Sequence, residues 1–129
     1  MKNLEQIRAA GALETAKDTT KAAVSKLPAM ILANGLLATC AFGSEKKKDG
    51  NNPKRPDMEK ALDGTARHLA KGEVGIAELQ GVTNCDQLIT KLCALSSMSL
   101  QRATGEALAF LGYVKRFTAK EGSEENSED

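Results

Sequence analysis

The chain has 129 residues, 41 % of them apolar, which is enough for one domain with a modest core and excludes a large multidomain assembly on a single chain. Only three Phe and one Tyr occur, with no Trp, and no run alternates apolar and polar residues. That excludes a β-rich design and predicts an all-α fold, because strands favour aromatic and β-branched residues. The net charge of +1 hides an uneven division: residues 121–129 hold five acids and no base, leaving 18 bases against 12 acids, or +6, in residues 1–120. A basic body with an acidic end is compatible with a polyanionic partner.

The division predicts one helical domain over residues 1–120 and a disordered acidic tail over 121–129. Within the domain, about five to six helices form a compact bundle. The first extends from Leu4 to at least Ser25, with Ala9, Ala12, Ala16, Thr20, Ala23 and Leu27 on one narrow stripe. Pro28 is expected to end it and to open a second helix reaching about Lys46. That helix is apolar on every side, so it is expected at the centre of the bundle, with Gly35 giving a neighbour close approach. The stretch from Leu27 to Phe42 would span only about 24 Å as a helix, short of a bilayer core. MKNLEQIRAA carries no apolar signal region, and the expected location is the cytoplasm.

Residues 46–56, KKKDGNNPKRP, read as a loop holding five bases and one acid. Asp57 to Lys71 forms the next helix, with Met58, Leu62, Ala66 and Leu69 facing inward. Glu73 to Val82 supports a short helix at most. Asn84 or Asp86 caps a helix containing Leu88, Ile89, Leu92 and Leu95. Ser97 or Ser99 caps the last helix, which runs to about Lys120. Its apolar stripe is Leu100, Ala103, Ala107, Phe110, Leu111, Val114 and Phe117; its polar stripe is Arg102, Glu106, Tyr113, Arg116 and Lys120.

Catalytic signatures are missing from the sequence. His68 is the only histidine, flanked by Arg67 and Lys71, and reads as a partly exposed helical residue whose replacement by Ala leaves function intact. Cys40, Cys85 and Cys93 show no CxxC spacing and read as small buried hydrophobes. No GxSxG, Walker-type loop, GxGxxG or HExxH occurs, so the expectation is a non-enzyme with no cofactor and no metal. The candidate nucleic-acid-binding residues are Lys46, Lys47, Lys48, Lys54 and Arg55 in the loop, with Lys115, Arg116 and Lys120 on the last helix. Lys and Arg hold phosphate without reading sequence. The same loop bases can equally be a solvated connector, and the helical cluster can simply complement the helix dipole.

Three segments, in order, carry a family resemblance. LEQIRAAGAL resembles the family's opening helix, LPAMILANGLLATCAFGSEK its Pro-started apolar signature with Asn34, Gly35 and Leu36, and TGEALAFLGYVKRFTAK its C-terminal helix. The family is the small helical subunit, the fifth, of the Cmr complex, the type III-B CRISPR–Cas effector. The resemblance implies a subunit without an active site of its own, stacked in several copies beside the backbone subunits that carry the guide RNA. It would help form the channel for the guide–target duplex, in antiviral defence. The implied partners are the backbone and large subunits, neighbouring copies of itself, and the guide and target RNA backbones, with no membrane. The alternatives are the small subunit of the related type III-A (Csm) complex and a free-standing helical nucleic-acid-binding regulator, although no helix–turn–helix pattern with a polar recognition helix occurs.

Overall fold

A computed structural model describes residues 2–126, with side chains described from Lys2 to Thr118. Of the expected tail over residues 121–129, residues 127–129 lie outside that description, as does the side chain of Lys120. Among the described residues the fold is six α-helices and a 3-10 turn, with no strand: α1 Leu4–Ala16, α2 Lys21–Asn34, α3 Leu36–Gly43, α4 Pro56–Leu69, α5 Cys85–Leu92 and α6 Ser97–Asn126, the 3-10 turn being Ala77–Leu79.

The first two helices start on side-chain caps. Asn3 accepts the Gln6 N–H while the Gln6 side chain returns to the Asn3 N–H, a reciprocal capping box. Thr20 accepts the Ala23 N–H at 3.2 Å and opens α2. The chain therefore turns at Lys17–Thr20, earlier than the proline predicts, and Pro28 lies inside α2. Its ring deprives one carbonyl of a helical donor, which burial of Val24, Leu27 and Ile31 on the same helix offsets. The Thr19 hydroxyl donates to the Asp57 carbonyl at 2.6 Å, tying this turn to the start of α4.

The second apolar helix is in fact two. Gly35 stands at φ +96° and ψ 159°, a conformation open essentially to glycine alone, and it breaks the helix between α2 and α3. A Cβ at Gly35 would touch nothing within 4 Å, so the glycine serves backbone geometry and not helix packing. Nor is this pair of helices central: Leu32 is 75 % exposed and Phe42 38 %. Gly35→Ala is expected to cost about 1–3 kcal/mol of strain without any new contact, read as a lower urea midpoint at unchanged slope.

The centre belongs to α6, which packs against α1, α2 and α4. Ala103, Ala107, Phe110, Leu111 and Val114 are fully buried, as their spacing predicts, and Leu100 and Phe117 close the edges of the core. The expected polar stripe of α6 does not all face solvent. Glu106 is only 9 % exposed, turned toward α1 and α4, and the Tyr113 hydroxyl donates to Glu5 of α1 at 2.7 Å. Ser96, one residue before the expected caps, accepts the Ser99 N–H at 3.1 Å and starts α6.

Two glycines permit close helix crossings. A Cβ on Gly64 would lie 2.2 Å from the Thr15 hydroxyl, and one on Gly43 would lie 2.2 Å from the Leu62 side chain. An outer pair, α3 and α5, covers α4. There the Asp63 carboxylate accepts the Cys85 N–H at 2.7 Å, and the Cys85 thiol donates to the Cys40 carbonyl at 3.5 Å. Burial holds the Asp63 carboxyl above the usual carboxylate range. Cys40 and Cys85 are buried as expected, but Cys93, just past the end of α5, is exposed.

Candidate nucleic-acid interface

The basic segment between α3 and α4 is a short hairpin. Lys46 and Pro53 form an antiparallel bridge, the Lys47 N–H donates to the Asn52 carbonyl at 2.7 Å, and the Lys54 N–H donates to the Glu45 carbonyl at 2.9 Å. At the tip, the Asp49 carboxylate accepts the N–H groups of Asn51 and Asn52 at 2.9 and 3.1 Å. These bonds hold the Asp49 carboxyl below its usual range. Gly50, at φ +79°, supplies the left-handed residue that the tip requires.

The hairpin divides its own cations. Lys46 is turned inward onto Glu59 of α4, and this hydrogen bond raises the Lys46 ammonium above its ordinary range. Arg55 lies 3.6 Å above the Phe42 ring and donates to both the Phe42 carbonyl and Glu45 at 2.9 Å. The Arg55 bond is the main reason the Glu45 carboxyl falls below its usual range. Lys54 stands 3.8 Å from the same carboxylate. Lys47 and Lys48 are exposed and, among the described residues, have no ion-pair partner. Five sequence-adjacent cations thus become three braces and two outward charges.

Lys115 and Arg116 are exposed on α6, but they do not join the hairpin. The neighbouring Tyr113 meets Glu5 at the start of α1, whereas the hairpin leads into α4 beside Thr19, beyond the end of α1. The 13 residues of α1 lie between the clusters, about 20 Å of helix. A cation not singled out in the sequence, Lys26 of α2, lies with Arg55 on one open groove of about 590 Å³. Its signal was the Thr20 cap, which sets the register of α2.

His68 is buried and belongs to a polar network. Its Nε2 lies 2.7 Å from Glu106, whose carboxylate also accepts Arg8 Nε at 2.7 Å and Nη2 at 2.8 Å. The imidazole stacks on Phe110, with centroids 4.5 Å apart and planes within 11°. Its neighbours in sequence are charged, but its place in space is apolar, so the expectation of partial exposure fails. Among the described residues no group of three or more His, Cys, Asp or Glu is arranged to hold a metal, and no helix is long and apolar enough to cross a membrane.

A family model described as CRISPR-associated protein (Cas_Cmr5) matches residues 2–121. The chain belongs to the Cmr5 family. Comparison with curated proteins and with solved structures yields no match. Membership makes the chain a CRISPR Cmr-associated subunit, the small subunit of the type III-B system. The Cmr5 match takes in all of α1 to α5 and the core-forming part of α6. The signature residues Asn34, Gly35 and Leu36 form the joint between α2 and α3, where the glycine conformation interrupts the helix.

Proposed function

We propose that this Cmr5 chain is a non-catalytic structural subunit of the Cmr ribonucleoprotein, stacked in several copies beside the guide-RNA backbone and lining the guide–target channel in the cytoplasm. Its partners are the backbone and large subunits, neighbouring copies and the RNA phosphates. RNA cutting and nucleotide chemistry belong to other subunits. The observation that carries the reading is the pair Lys47 and Lys48, exposed and, among the described residues, without an ion-pair partner, on a hairpin that Lys46, Lys54 and Arg55 brace. A braced loop loses little conformational freedom when it meets a backbone, so its charges serve phosphate contact at low entropic cost. Lys115, Arg116 and Lys120 supply a second, separate set of contacts.

The test is the assembled complex carrying Lys47→Ala and Lys48→Ala, measured across a salt series with two unrelated guide–target pairs. Target affinity is expected to fall similarly for both pairs, because phosphates carry no base information. The slope of log affinity against log salt is expected to flatten by about 1.4 to 1.8 for two lost contacts. Unchanged affinity and slope would make the hairpin a plain connector. RNA cleavage or nucleotide turnover by the isolated chain would overturn the non-catalytic assignment.

A further inference from the structure

Beside the hairpin, α2 and the α3–α4 junction enclose the open groove of about 590 Å³. Its floor is apolar, with Ala23, Met30 and Met58 among its lining, and its rim carries two cations, Lys26 and Arg55, against one acid, Asp57. Arg55 is held in place: its Cζ rests 3.6 Å above the Phe42 ring, and Nη1 donates to the Phe42 carbonyl and Glu45. Nε and Nη2 have no hydrogen-bond partner among the described residues. Arg55 and Phe42 both line the groove, and a planar cation seated on an aromatic ring there is a platform for a second flat ring. The volume lies within the range of about 300–1,000 Å³ typical of small-molecule sites.

We propose that this groove takes one unpaired nucleotide of single-stranded RNA, its base stacked on the Arg55 guanidinium and its phosphate against Lys26. An unstacked base offers the flat apolar face that the groove lacks, and its phosphate offers the anion that the rim favours. A base in duplex keeps its neighbours and cannot enter, so the site distinguishes single strands from helices. The proposal rests on the RNA-channel reading but uses different residues and a different readout.

The experiment titrates the full isolated chain into a short single-stranded RNA carrying one 2-aminopurine, and into the same RNA annealed to its complement. Wild-type protein is expected to bind the single strand with quenching of the fluorescent base. Arg55→Lys keeps the charge and loses the plane; it should weaken single-strand binding by about five- to a hundredfold, the range of single base stacks. It should also remove the quench, keep the salt slope, and weaken duplex binding far less than single-strand binding. Lys26→Gln, at an exposed position on α2, should flatten the single-strand salt slope by about 0.7 and keep the quench. This second variant guards against loss of the hairpin brace in the first, which thermal unfolding monitors. The proposal falls if wild-type protein gives no quench, or if Arg55→Lys weakens single strand and duplex alike. It also falls if Arg55→Lys impairs only assembly with other subunits, since the groove would then hold a protein side chain. Loss of the hairpin's salt effect in the assembled complex would sink the channel reading without moving the quench, and the converse also holds.

Discussion

Replacing Glu106 with Ala is expected to destabilise the fold by about 3–5 kcal/mol, the usual consequence of removing one member of a buried charge network. Glu106 is 9 % exposed and receives two bonds from Arg8 and one from His68, so its loss strands a guanidinium and an imidazole together. Burial alone would raise the Glu106 carboxyl, but these bonds outweigh it and leave it below its usual range. Glu106→Gln should retain part of the stability, since its oxygen still accepts while its amide opposes a donor. The network also predicts an acid response. Burial holds His68 below its ordinary value of 6.5, with the Glu106 bond opposing and Lys71 and Arg8 reinforcing the shift. The unfolded chain therefore gains a proton near pH 6.5 that the folded chain resists. Stability is flat above that pH and falls as pH drops below it. Loss of the Glu106 contribution begins as pH falls through the ordinary carboxylate range and is completed below it. His68 is the only histidine in the chain, so His68→Gln should remove this contribution between pH 6.5 and 5, while Asp63, raised by burial, acts with the opposite sign nearer the carboxylate range. Urea titrations from pH 8 to 5 measure both, and stability rising on acidification would contradict the assignment.

Gly64→Ala is expected to cost about 3 kcal/mol, at the upper end of overpacking penalties. The new methyl would meet the Thr15 Oγ1, Cγ2 and Cβ at 2.2, 2.5 and 2.9 Å, and a Cβ cannot rotate away. Both residues are buried at the crossing of α1 and α4, so relief requires separating two helices that also bury Ala12, Ala16, Ala61 and Leu62. Thr15→Gly in the same chain should restore much of the loss, because it moves the missing volume to the other helix. Helix propensity alone predicts the opposite sign for Gly64→Ala, about 1 kcal/mol of gain. Thermal unfolding of the single and double variants decides between these.

The parts of this fold that sequence spacing revealed are those whose causes are local. The inner face of α4 and the apolar stripe of α6 repeat at helical steps, and each named residue on them is buried or packed against the core. The caps and joints were harder. Pro28 is a louder signal than Thr20, yet one missing hydrogen bond is weaker than the packing that carries α2 through it. Gly35 lies among apolar residues and looks like a packing glycine; only its φ of +96° marks it as a joint. The basic hairpin was visible as a charge run, but its division into braces and free charges depends on Glu59, Phe42 and Glu45. The His68 network had no local signature, since its partners are 38 residues apart and Arg8 lies 98 residues from Glu106.

That last separation bears on how the protein is made. Of all the helices, α6 is synthesised last, and it is the one that α1, α2 and α4 all pack against. Arg8 and Glu5 wait for partners 98 and 108 positions further along the chain. Until those positions have left the ribosome, the earlier helices have only one another, and the buried faces of α1 and α2 stay partly open to water. Contacts so distant in sequence slow the closing step relative to a bundle of neighbouring helices. The nascent chain therefore spends its synthesis as an unclosed set of apolar helices, and its bundle is completed in one late step by its longest helix.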